Sequence, residues 1–311
     1  MFEGFTSRRI ATAGAEIHLR LGGDGPPLLL LHGYPQTSAM WHRVAPALAR
    51  RFTVVAADLR GYGASAKPPS GPDHAAYSKR AMGADMVEVM AALGFAAFAV
   101  AGHDRGGRVG HRMALDHPAA VSRLAVLDIV PTHTMWQRMD KRLAMATYHW
   151  LFLAQPDGLP EQMIGADPEW WVRQALRRWA GDPDAFAPEA VAEYVRCFSD
   201  PAAIHASCED YRAGATVDHQ LDAADLGRRR ITCPLLVLWG DRGIASQAED
   251  PLAAWRPWAA DLRGHGIPAG HFLPEEAPAE TLAALEGFFQ GARTSSGLYG
   301  EAGNGRGWTT S

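Results

Sequence analysis

A chain of 311 residues, 47% hydrophobic and 21% charged, has the composition of a soluble globular protein and the length for one large domain or a core with an inserted subdomain. Its formal net charge of −4 gives no basic excess for nucleic acid or anionic membranes, and neither is expected as a partner. Cys197, Cys208 and Cys233 are odd in number and lack metal-ligand spacing, so they read as buried reduced thiols.

In chain order, Met1 to Ile10 holds two arginines but no apolar h-region, and no signal peptide is expected. Leu28 to Leu31 is a short continuous apolar run that stops at His32-Gly33-Tyr34-Pro35. Phe52 to Ala57 is a second, ending at Asp58 and the turn Gly61-Tyr62-Gly63. A helical pattern follows from Met82 to Leu93. The longest weakly apolar stretch, Val89 to Gly102, is too short to span a membrane and is broken by Gly94, so a cytoplasmic location is expected. Phe98 to Gly102 is a third run, and the helix predicted after it, Arg108 to His117, stops at Pro118. Leu124 to Val130 and Leu235 to Trp239 complete the set. Fully apolar runs alternating with amphipathic helices predict an α/β fold, a mainly parallel sheet with helices on both faces. From Pro131 to about Arg230 the runs give way to helical patterns rich in tryptophan and arginine, punctuated by proline. The expected organisation is a core of residues 1–130 and 231–293, a helical cap of 131–230 after the sixth strand, and a disordered tail of 294–311.

Gly102-His103-Asp104-Arg105-Gly106-Gly107 places a reactive residue between glycines at a strand-to-helix junction, which describes a nucleophile elbow. The residue is aspartate, not serine. Serine attacking a saturated carbon would leave an ether that water does not readily cleave, whereas a carboxylate leaves a hydrolysable ester. Asp104 therefore points to displacement at an sp3 carbon followed by ester hydrolysis. Asp104, Asp128 and His271 come in the order nucleophile, acid, histidine known from α/β-hydrolases. Asp241, after the next strand, is a rival acid; Asp128 is favoured. Arg105 and Arg108, three apart on the new helix, would keep Asp104 ionised and clamp an anionic substrate carboxylate. Arg112 reads instead as part of a solvated face with local salt bridges.

The segment Gly102 to Pro118 resembles the fluoroacetate (haloacetate) dehalogenases, the Asp-nucleophile branch of the α/β-hydrolase fold. Further matches are His32 to Gln36, Ala57 to Gly63, Leu127 to Thr132, His149 to Pro156 and Cys208 to Ala213, so the likeness covers core and cap. It implies Asp104 as nucleophile, His271 as base and Asp128 as its acid. It likewise implies Arg105 and Arg108 as carboxylate ligands, and His149, Trp150 and Tyr211 as a halide pocket. The backbone N–H groups of Tyr34 and Arg105 would form the oxyanion hole, Tyr34 standing where phenylalanine is usual. The resemblance implies a haloacid substrate, no metal or organic cofactor, and a homodimer. The rival readings are an epoxide hydrolase, which would need two cap tyrosines from among Tyr148, Tyr194 and Tyr211, and a non-enzymatic small-acid-binding protein.

Overall fold

The computed structural model describes residues 1–248 and 250–290. Among them eight strands form one sheet: β1 Thr6–Ala11, β2 Glu16–Gly22, β3 Pro27–Leu31, β4 Thr53–Ala57, β5 Phe98–His103, β6 Val121–Leu127, β7 Leu235–Gly240 and β8 Leu262–Ile267. Their order is β1-β2-β4-β3-β5-β6-β7-β8, antiparallel from β1 through β2 to β4 and parallel from there on. The central strands are buried over most of their length, as their apolar runs require; Leu28 to Leu31 have no exposed surface. Each buried leucine contributes about 1.5–3 kcal/mol relative to exposure.

Strand register sets the site. Leu31 pairs with Gly102 and His103 with Leu127, so the turns after β3, β5 and β6 leave the sheet at one edge. Ligands in open α/β sheets bind outside these carboxyl ends. Between β6 and β7 the described regular elements are helical, from Thr132–Gln137 to Val217–Asp225. This inserted region lies over the edge that carries the turns, since its Tyr211 and Trp179 meet Tyr34 and His271. Its prolines are helix starts as much as turns: Pro168, Pro188 and Pro201 stand at the first position of their helices, where the missing N–H costs nothing.

Several boundaries differ from expectation. The helix predicted from Met82 starts at Lys79, capped by the Ser78 hydroxyl. The helix predicted from Arg108 starts at Arg105, directly after Asp104. The run ending at Val130 is strand only to Leu127, because Asp128 turns to φ 52°. Strands β1, β2 and β8 lie outside the apolar runs read from the sequence; β1 is largely exposed, and β8 (Leu-Arg-Gly-His-Gly-Ile) carries no apolar run. All three cysteines are buried and free. No helix among the described residues is long and apolar enough to cross a membrane. The expected tail, 294–311, lies outside the described residues.

Candidate active site

Asp104 follows β5 with φ 44° and ψ −116°, a left-handed conformation costing a non-glycine residue about 1–3 kcal/mol. Glycine neighbours make the turn possible. A Cβ on Gly33 would lie 2.4 Å from Asp104 Cβ, and one on Gly106 would lie 2.5 Å from the His32 carbonyl oxygen. The Tyr34 backbone N–H donates to Asp104 Oδ2 at 3.0 Å. The Arg105 N–H, first in its helix, has no intrahelical acceptor. His32 stiffens this turn, accepting from the Leu59 N–H at Nε2 (3.0 Å) and donating from Nδ1 to the Gly33 carbonyl (3.0 Å). Burial alone would raise the Asp104 pKa, but His271, Arg105, His103 and Arg108 outweigh it and bring it down to about 2. Asp104 is a carboxylate at any working pH.

His271 lies 2% exposed in the loop after β8. Its Nδ1 donates to Asp128 Oδ2 at 2.6 Å, and the same carboxylate accepts from the Ile244 N–H at 2.8 Å and the Gly240 N–H at 3.2 Å. Asp241, the rival, is exposed. The His271 loop is fixed from both sides. The His103 Nε2–H donates to the His271 carbonyl at 2.7 Å, and the His271 N–H donates to the Trp179 carbonyl at 2.9 Å. Burial disfavours the imidazolium, yet the hydrogen bond and charge of Asp128, with the Asp104 charge, hold the His271 pKa above the usual 6.5.

Arg105 is fully buried. Its Nε and Nη2 grip Asp210 as a fork, at 3.0 and 2.6 Å, while the buried Nη1 has no hydrogen-bond partner. Asp210 also accepts from Tyr62 Oη at 2.6 Å and from Lys79. Arg108 donates from Nη1 to the Val130 carbonyl (2.9 Å) and Thr132 Oγ1 (3.2 Å), and its buried Nε is likewise unpartnered. No carboxylate among the described residues forms an ion pair with Arg108. Burial without such a counter-ion, with Arg105 nearby, brings its pKa down to about 10. Arg112, expected on a solvated face, is instead 3% exposed and pairs with Asp116 and Asp225, both at 2.7 Å. The inserted region supplies Asp225 and covers that face.

His149, Trp150 and Tyr211 pack together beside the arginines. The Tyr211 ring centroid lies 5.6 Å from that of His149 and 6.0 Å from that of Trp150. The Arg105 guanidinium sits 4.2 Å from the Tyr211 ring centre, and that of Arg108 lies 4.5 Å from that of Trp150. His149 Nδ1 and Tyr211 Oη are buried without partners. Burial brings the His149 pKa down to about 3 and pushes that of Tyr211 well above 10, so both are neutral. Of the other two cap tyrosines, Tyr194 donates to Glu275 Oε1 at 3.1 Å, and Tyr148, 36% exposed, meets His149 edge-on at 6.1 Å between ring centres.

The sequence residues thus converge on one closed site. Sequence reasoning missed Asp210 and Thr132, which hold the two arginines. A buried guanidinium needs a counter-charge or carbonyl partners, and that requirement was the available signal. Replacing Asp210 by asparagine should leave Arg105 half-anchored and raise KM for an anionic substrate; an unchanged KM would make the Asp210 fork irrelevant to binding.

Residues 26–278 match the model of the alpha/beta hydrolase fold family. The chain is 50% identical over 295 residues to a fluoroacetate dehalogenase of Burkholderia sp, covering 94% of this chain and 97% of that protein. It is 34% identical over 282 residues to a soluble epoxide hydrolase of Corynebacterium sp. (strain C12), covering 89% and 94% respectively. The solved structure of ALR0039 from Nostoc sp PCC 7120 superposes with TM-score 0.92 at 56% identity, covering 94% of this chain and 100% of that one. An elbow aspartate, an Asp–His pair at the strand ends and a helical region inserted over them are the marks of a hydrolase, and the chain belongs to the alpha/beta hydrolase fold family.

Proposed function

We propose that the protein is a haloacetate dehalogenase that converts fluoroacetate or chloroacetate to glycolate through an ester on Asp104. The observation carrying this reading is the pair of buried guanidinium N–H atoms without partners, Arg105 Nη1 and Arg108 Nε, beside an ionised nucleophile. Buried donors are rarely left unpaired, and Arg108 has neutral partners only, so the site is built to receive an anion. A neutral epoxide or haloalkane would leave both groups unsatisfied. Of the three tyrosines an epoxide hydrolase could draw on, Tyr211 alone is buried with its hydroxyl unpartnered; Tyr194 donates to Glu275, and Tyr148 is 36% exposed. The complete Asp–His–Asp set argues against a non-catalytic binding protein. The 50% identity to the Burkholderia enzyme supports the substrate class.

In the first step, the arginines hold the substrate carboxylate and offset its repulsion by Asp104. With Oδ2 held by the Tyr34 N–H, Oδ1 attacks the α-carbon from behind. The carbon–halogen bond breaks, and the halide leaves toward the N–H and O–H donors of His149, Trp150 and Tyr211. In the second step, His271, oriented by Asp128, takes a proton from water, which adds to the ester carbonyl. The oxyanion forms at Oδ2, against the backbone N–H groups of Tyr34 and Arg105. Collapse releases glycolate, and a proton leaves through His271. No metal or organic cofactor takes part.

This reading keeps the organisation of a core of residues 1–130 and 231–293 under a cap of 131–230, and a cytoplasmic homodimer; light scattering giving one protomer would remove the dimer. Halide release from fluoroacetate and chloroacetate, followed with ion-selective electrodes, tests the activity. Release from neither, with epoxide opening instead, would overturn it. Arg108→Ala should lose about 2–4 kcal/mol of transition-state binding, roughly 30- to 900-fold in kcat/KM. Unchanged kinetics would mean that Arg108 does not hold the substrate.

The pH dependence has a definite sign. His271 must be neutral to act as base, so ester hydrolysis falls about tenfold per pH unit on the acid side of its pKa. That pKa is raised in the free enzyme partly by the Asp104 charge. Esterification removes this charge, so the acid limb for ester breakdown should lie below the His271 pKa of the free enzyme read by NMR. A limb at or above the free-enzyme value would contradict the assignment.

A further inference from the structure

Tyr34 does more than supply a backbone donor. Its side chain is fully buried, its ring lying 5.3 Å from Tyr211, 5.6 Å from Phe198, 6.1 Å from Trp179 and, near-parallel, 6.3 Å from His149. Its hydroxyl accepts a hydrogen bond from the indole N–H of Trp171. Trp171 stands in the helix Pro168–Trp179, which starts at an Asp167 cap and a first-position proline. The other end of the same helix reaches the base: the Trp179 carbonyl accepts the His271 N–H at 2.9 Å, and the Trp179 ring lies 6.0 Å from the His271 ring. Gly181, just beyond, shares Glu276 Oε2 with Gly270, at 2.6 and 2.9 Å. Trp171 and Trp179 are eight residues apart, so about 12 Å of helix joins the residue that holds the Asp104 oxygen to the residue that activates water.

We propose that Tyr34 is a positioning residue whose hydroxyl, through Trp171, makes the helix Pro168–Trp179 a strut holding the oxyanion N–H and His271 in register for ester hydrolysis. This rests on the aspartyl-ester reading above. Alkylation requires only that Asp104 and the bound acid meet. Ester hydrolysis requires two groups from distant turns, the Tyr34 N–H and the His271 imidazole, to act at once on one carbonyl. Phenylalanine at position 34 keeps the ring and the backbone N–H and loses only the tie to the strut. Phenylalanine at position 171 removes the indole donor from the other side.

The test is rapid-quench kinetics with chloroacetate on the wild type, Tyr34→Phe, Trp171→Phe and the double variant, separating halide release from ester breakdown by intact mass. Each single variant should slow ester breakdown roughly 2- to 12-fold, the effect of one neutral hydrogen bond, and slow it more than alkylation. The double variant should be no slower than the singles, because both remove the same bond. Equal slowing of both steps, no slowing, or effects that multiply would overturn the strut. Backbone amide exchange of Tyr34 and His271 gives a readout independent of turnover: both should exchange faster in Trp171→Phe, and unchanged rates overturn the proposal. Wild type that releases no halide refutes the ester reading, whereas normal wild-type turnover with unaltered variants refutes the strut alone.

Discussion

Replacing Asp104 by asparagine should lower halide release from fluoroacetate by on the order of 10⁴-fold or more, since the reaction loses its nucleophile. The substitution is close to isosteric, and asparagine tolerates the left-handed backbone that Asp104 adopts at φ 44°. Its amide oxygen can still accept the Tyr34 N–H, so the fold and the substrate pocket should survive. What disappears is the negative charge that four neighbouring groups keep ionised down to about pH 2. Intact-protein mass must accompany the assay, because deamidation would regenerate aspartate. Activity within tenfold of wild type, with the mass still that of asparagine, would remove Asp104 from the chemistry.

The second large effect is expected at His271. In His271→Ala the alkylation step keeps its nucleophile and both arginines, so one equivalent of halide should be released. The ester should then persist, its hydrolysis slowed by about 10²- to 10⁴-fold for want of a general base. The protein should gain the mass of the substrate acid less hydrogen halide. This outcome separates the two steps, because loss of a residue needed for binding would suppress the first halide as well. A variant that turns over without accumulating ester, or releases no halide while binding haloacetate, would show that the histidine is not the base of the second step.

The parts of the site specified locally were legible in the sequence. An apolar run, two flanking glycines and the following helix define the elbow around Asp104, because only that backbone path permits the close approach to Gly33. Chain order placed an acid and His271 after Asp104 but left Asp128 and Asp241 in contest, with Asp128 favoured, and the 2.6 Å hydrogen bond from His271 falls on Asp128. Partners distant in sequence were not legible. Asp210 lies 105 residues from Arg105, and nothing in a list of 34 acidic residues says which one neutralises a buried guanidinium. Arg112 was misread for the same reason: its helix face looked polar, and the Asp225 that buries and pairs it comes from the inserted region. The tie between the Tyr34 hydroxyl and Trp171 likewise joins residues 137 positions apart. Strand β8 escaped because two glycines, a histidine and an arginine interrupt its apolar pattern, although pairing with β7 holds it in the sheet.

A single-turnover reaction in heavy-oxygen water, with enzyme in excess over fluoroacetate, most directly tests the covalent route. Water attacking the carbonyl carbon of the ester leaves its oxygen on the protein, while glycolate departs with an oxygen that began on Asp104. One heavy oxygen should therefore appear in the peptide containing Asp104, and the first glycolate formed should be unlabelled. Label found first in glycolate, with the Asp104 peptide at its ordinary mass, would mean that water displaces the halide directly and that no ester forms.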